Sequence, residues 1–162
     1  MLFRSVSRRD GLERLAQALD PAGPPTPGES AASLPALENV PRHARLVLIG
    51  DFLAPLEDLG RVIQGYRQRG VQGCLVQIHD PAEEELSFSG RTRFEGPEGE
   101  GAVIVGRVES VRDEYIRRYR AWCGALVALG QNAGWPVIAH RTDRAPQLAL
   151  LAVLGALGES AC

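Results

Sequence analysis

The chain has 162 residues, a formal net charge of -2 and 44% hydrophobic residues, which suits one domain with a core of its own. This balance excludes a generally basic nucleic-acid surface and an acidic tail. Its three cysteines, Cys74, Cys123 and Cys162, have no CxxC spacing, which points to reduced thiols rather than a disulfide framework or a zinc site.

In chain order, "RRDGLERLAQALD" (residues 8–20) sets Leu12, Leu15, Ala16 and Leu19 at helical spacing behind a capping Asp10. It reads as an amphipathic helix that needs a partner surface. "PAGPPTPGES" (residues 21–30) is a Pro/Gly-rich loop. A short helix over about 30–39, bent at Pro35, is expected next. "ARLVLIGDF" then gives a continuous apolar run suited to a buried strand.

"PLEDLGRVIQGYRQRG" (residues 55–70) reads as a helix with Pro55 and acidic residues at its start and Arg67, Arg69 and Gly70 at its end. "VQGCLVQIHD" is a second buried strand. Asp80 stands 29 positions after Asp51, close to the ~30 residues of a strand-helix-strand unit, so these strands should be parallel neighbours. Residues 85–108 switch to alternation and turn residues, predicting an antiparallel excursion with "EGPEGEG" as its turn. A long helix over 112–134 carries Tyr115, Tyr119, Trp122, Leu126 and Leu129 on one stripe. "WPVIAHRTD" is a third buried strand, and a last helix covers about 146–157. Strands alternating with helices predict a three-layer α/β domain.

Each apolar strand ends in an aspartate: Asp51, Asp80 and Asp143. Parallel strands would bring them, with His79 and His140, to one rim, where open α/β sheets bind ligands. Oxygen donors of this kind suit magnesium, calcium or manganese. The plainer alternative is that an aspartate leaving a strand caps the next helix or shapes a turn. Neither GxSxG nor GxxxxGK is present, and His79 and His140 stand near no evident nucleophile. "EEE" (residues 83–85) and "RDEYIRRYR" read as solvated charged faces, the latter with i,i+4 pairs.

The segments "LVLIGDFLAP", "RGVQGCLVQIHDPAEEELSFSGRTRF" and "VRDEYIRRYRAWCGALVALGQNAGWPVIAHRTD", with the leucine-rich last helix, resemble the C-terminal half of a von Willebrand factor A-like domain. More narrowly they resemble the bacterial domain-of-unknown-function family fifty-eight. The resemblance covers roughly residues 8–158 and implies a Rossmann-type sheet. It also implies an encoded association with MoxR-type AAA+ ATPases, and membrane helices ahead of the domain in full-length members. The von Willebrand A fold holds a divalent cation such as Mg2+ with an Asp-x-Ser-x-Ser loop, a threonine and an aspartate after its fourth strand. Asp51 carries over as that last ligand, with Thr26 or Ser30 in the threonine's place. The Asp-x-Ser-x-Ser element is absent.

The resemblance thus implies that residues 1–162 form one partial von Willebrand A-like domain. "MLFRS", back-translated as GTG CTC TTC CGA TCT, resembles the end of a sequencing adapter, so residues 1–5 are expected to be non-native and the chain an N-terminally truncated fragment. Such a fragment should bind no cofactor tightly and should self-associate through the exposed edge of its first strand. With no apolar run near the roughly 18 residues of a membrane span and no signal peptide, it is expected to be cytoplasmic as given. The expected function is a non-enzymatic protein-interaction module linked to a MoxR-type ATPase assembly or chaperone system, with no nucleic-acid partner. The rival is a metal-dependent hydrolase or phosphoryl-transfer enzyme working from Asp51, Asp80, His79 and His140 on the acidic rim.

Overall fold

A computed structural model describes Leu34 and residues 37–95 and 101–158 of the chain. The elements are β1 (Arg45–Gly50), α1 (Leu56–Arg67), β2 (Gln72–His79), α2 (Pro81–Glu85), β3 (Thr92–Glu95), β4 (Ala102–Val105), α3 (Arg112–Ala133), β5 (Val137–Arg141) and α4 (Gln147–Gly158). β1, β2 and β5 form a parallel sheet in the order β1-β2-β5, and β3 and β4 form a separate antiparallel pair. The molecule is therefore α/β, with the antiparallel excursion inserted between the second and third parallel strands.

Parallel pairing follows from the strand-helix-strand spacing, since such strands need a crossover element between them. Leu48 pairs with Leu75, and Leu75 with Val137. Side chains alternate along a strand, so Leu46 and Leu48 of β1 and Leu75 of β2 point to one face. There they meet Leu59, Ile63 and Tyr66 of α1, Leu126 of α3, and Trp135. The other face carries Val47, Cys74 and Val76, and α4 packs against its β2 and β5 part. Burial raises the Cys74 thiol above its ordinary pKa.

The central strand alone is buried through most of its length. β1 and β5 are half-buried, which corrects the expectation of three buried strands: each has a strand neighbour on one side only among the described residues. Residues 37–40 are irregular rather than the end of a helix. Instead of extending a helical turn, the Glu38 N–H donates to Tyr66 Oη at 3.2 Å. The predicted helix at 8–20 and the loop at 21–30 lie outside the described residues, as do residues 96–100 of the expected hairpin turn. The flanking pairs, Glu95 with Ala102 and Phe94 with Val103, are antiparallel as expected.

One close approach fixes how α3 sits on the sheet. Gly134 ends α3 with φ +66, and the Trp135 N–H returns to the Gly130 carbonyl at 2.8 Å. The indole then lies over Gly73 of β2 and stacks on Tyr66, with ring centroids 6.4 Å apart. A Cβ on Gly73 would stand 2.5 Å from the Leu46 carbonyl oxygen and 2.8 Å from the indole, and one on Gly130 would stand 2.5 Å from the Trp135 carbonyl oxygen. Gly73→Ala and Gly130→Ala should each cost about 1–3 kcal/mol in urea unfolding, because backbone must move to admit the methyl group. Gly124→Ala is the control: it lies in α3 with open space around it and should gain up to about 1 kcal/mol from helix propensity.

Candidate functional site

The carboxyl ends of β1, β2 and β5 share one rim, as the parallel order requires. The three aspartates do different work there. Asp51 Oδ1 accepts the Leu53 N–H at 3.1 Å. This turn carries Phe52 through φ +56 and returns its ring to the core. A non-glycine residue in the left-handed region costs roughly 1–2 kcal/mol, of the order that burying an aromatic ring recovers.

Asp80 caps α2. Its Oδ1 accepts the Ala82 N–H at 2.8 Å, and its Oδ2 accepts the Thr142 hydroxyl at 2.8 Å. Those two hydrogen bonds, the backbone one first, hold its carboxyl below the usual range. The cap thereby joins the end of β2 to the end of β5. Asp143 does not cap the last helix. It receives a two-pronged contact from Arg141, Nε to Oδ1 at 3.1 Å and Nη2 to Oδ2 at 2.9 Å, which is the main reason its carboxyl is also held low.

Arg141 is the hub that the sequence reading missed. Besides Asp143, its Nη1 donates to Glu84 Oε2 at 2.9 Å and lies 3.7 Å from Glu85 Oε1. Its own pKa is raised, chiefly by the hydrogen bond to Asp143. "EEE" is therefore only partly a solvated face: one arginine gathers two of its members and the β5 aspartate. Spacing alone could not have found it: Thr142 and Asp143 lie in the turn that follows β5, where the Arg144 N–H returns to the Arg141 carbonyl at 3.1 Å, and Glu84 lies 57 positions away.

Behind this clasp lies a polar seam between β2 and α3. The Gln77 amide donates to Cys123 Sγ at 3.6 Å, and His79 Nε2 stands 3.9 Å from Glu84 Oε2. His79 Nδ1 is buried without a hydrogen-bond partner among the described residues, and the Tyr119 hydroxyl is buried beside the Cys123 thiol. Burial, with the Cys123 thiol next in importance, pushes the Tyr119 phenol well up. Tyr115, Tyr119 and Trp122 form a ring stack along α3, with neighbouring centroids 6.2 and 6.4 Å apart. On its outer side Glu114 pairs with Arg117 and Arg118, the solvated charged face expected.

Of the candidate cation ligands, Asp51 is at the rim, while Thr26 and Ser30 lie outside the described residues. Among the described residues no three His, Cys, Asp or Glu side chains form a group able to hold a metal ion. The donors present there do not supply the six to eight oxygens that calcium takes, or the octahedron that magnesium takes. His140 lies on β5, pairing with Ile78 in the sheet register.

The rim at the carboxyl ends of a parallel sheet, with a two-stranded excursion beside it, defines an α/β domain. A family model described as "Protein of unknown function DUF58" matches residues 5–122, more than half of the chain. The chain belongs to that family. No curated protein and no solved structure matches it. The match ends within α3, so the Arg141 clasp and α4 lie beyond the matched segment.

The depressed carboxyls of Asp80 and Asp143 set the acid behaviour of the rim. A folded-state pKa below the unfolded one means that the unfolded chain binds more protons between the two values. The stabilisation is then complete at neutral pH and is lost as pH falls below about 4, through the lowered folded values. Arg141→Gln should bring the Asp143 carboxyl, followed by carbon-detected NMR, back toward the ordinary range. The variant should be less stable than the parent at pH 7, and this difference should shrink in acid.

Proposed function

We propose that the chain is a non-enzymatic protein-interaction module: part of a von Willebrand A-like domain that serves a MoxR-type AAA+ ATPase assembly or chaperone system. The observation that carries this reading is the contrast between its polar rim and its apolar outer surfaces. At the rim, Asp80, Asp143 and Glu84 are engaged by Thr142 and Arg141. On α4, Leu148, Leu150, Leu151 and Leu154 are all at least 60% exposed, and on β4 Val103 and Ile104 are 66% and 55% exposed. Apolar side chains gathered on a surface mark interaction sites more often than catalytic ones. Family membership supports the reading only in its coarse form, since the family's function is unknown.

On the same reading, Asp51 contributes to a magnesium site in the intact domain, directly or through water. The rest of the shell comes from donors beyond the described residues and from an acidic group on the partner. Full-length members would carry the domain on the cytoplasmic side of a membrane anchor. Among the described residues themselves, no helix is long and apolar enough to cross a membrane.

Titration of the chain with a purified MoxR-type ATPase, read by interferometry with and without magnesium, is the test. The proposal predicts saturable binding that weakens about tenfold or more in Leu151→Glu with Leu154→Glu, since central apolar contacts dominate such interfaces. No binding up to about 100 micromolar, the weak end of specific association, would contradict it. So would phosphatase or hydrolase activity lost together in Asp51→Ala and Asp80→Ala.

A further inference from the structure

We infer that Arg112 is a positioning residue for the apolar surface of β3 and β4: from the first turn of α3 it fixes the course of residues 86–90, and through them the place where that surface stands. The inference rests on the proposed function for what the surface does, and on the contacts within residues 82–112 for how it is held. β3 and β4 pair with each other in a sheet of their own. A two-stranded unit is marginal by itself, so its place depends on the segments that lead into and out of it.

Residues 86–90 lead in from α2, and their backbone groups are met by the turn that opens α3. Arg112 Nε donates to the Leu86 carbonyl at 3.0 Å, and Arg112 Nη2 donates to the Phe88 carbonyl at 2.6 Å. The Gly90 N–H donates to Glu109 Oε1 at 2.9 Å, and the Val108 N–H donates to the Gly90 carbonyl at 3.1 Å. The groups held belong to alternate residues, the pattern by which an extended chain bonds to one neighbour. Arg112 and Glu109, three positions apart, thus take the place of a strand partner. Leu86 makes this course costly. It is buried and held at φ +43, a left-handed conformation that a bulky residue rarely adopts. Such backbone persists only where its surroundings over-determine it. The Leu86 N–H donates to the Ala82 carbonyl at 2.9 Å, and Arg112 takes its carbonyl. A guanidinium suits the task because its planar fork presents several donors at fixed spacing. The exposed side chains of the surface, Val103 and Ile104, belong to β4, so Arg112 acts on their placement through backbone.

Two measurements on the full 162-residue chain test this. The first is amide hydrogen exchange of the chain alone. Arg112→Gln should speed exchange at Gly90 and Val108 by about tenfold or more, the factor that loss of a charged hydrogen bond brings, while residues 74–78 of β2 change by less than about threefold. Arg112→Lys keeps the charge but lacks the fork. It should show the same pattern to a smaller extent, and it serves if the glutamine variant does not fold. The second is titration of each chain with a purified MoxR-type ATPase, in which Arg112→Gln should bind about tenfold more weakly, because its surface must be ordered on binding. Exchange that quickens equally in β2 would make Arg112 an ordinary stabilising residue and overturn the inference. So would unchanged exchange at Gly90 and Val108, or local quickening with unchanged affinity. An ATPase that binds no form of the chain removes the proposed function instead, and the exchange pattern alone then decides whether Arg112 positions the β3-β4 pair.

Discussion

The packing of Trp135 into a slot floored by Gly73 and walled by Gly130 is the contact on which the other layers depend. It locks the end of the longest helix to the central strand, and it places the Trp135-Pro136 link so that the Leu75 N–H reaches the Pro136 carbonyl oxygen at 2.9 Å. The parallel pairing of β2 with β5 begins there. Tyr66 of α1 stacks on the same indole, so both helices on that face refer to one side chain. Everything at the opposite rim, some five residues further along each strand, inherits its register from this point. A glycine at either position is required by space rather than by backbone conformation.

Much of this frame could be read from residue order. The apolar runs at 46–50 and 74–78, separated by a helix with acidic residues at its start and basic residues at its end, specify parallel neighbours. The long stripe of Tyr115, Tyr119, Trp122 and Leu126 specifies a helix lying on them. The extent of burial could not be read, because a run such as "VIAH" is equally compatible with a central strand and an edge strand, and the neighbour that decides is remote in sequence. Nor could α2. Its five residues are too few to show a period, and the helix rests on the Asp80 cap and on Pro81 at its first position.

The rim was legible in part. Three aspartates at strand ends were expected on one edge, and parallel order puts them there. Their separate tasks depend on partners that spacing alone does not reveal: Thr142 reaches Asp80 across 62 positions, and Arg141 reaches Glu84 across 57. Asp51 is the outlier: among the described residues its carboxylate accepts only the neighbouring Leu53 N–H. The rim is tied together by Arg141, while leucines on α4 and Val103 and Ile104 on β4 are exposed. That contrast is what the proposal of a binding module rests on.

The most direct test of that proposal is hydrogen-deuterium exchange of the full chain, alone and saturated with a MoxR-type ATPase. The account predicts new protection in α4 and the β3-β4 pair, with exchange at residues 80–85 and 141–144 unchanged. Protection confined to residues 80–85 and 141–144, with α4 and the β3-β4 pair unaffected, would contradict it.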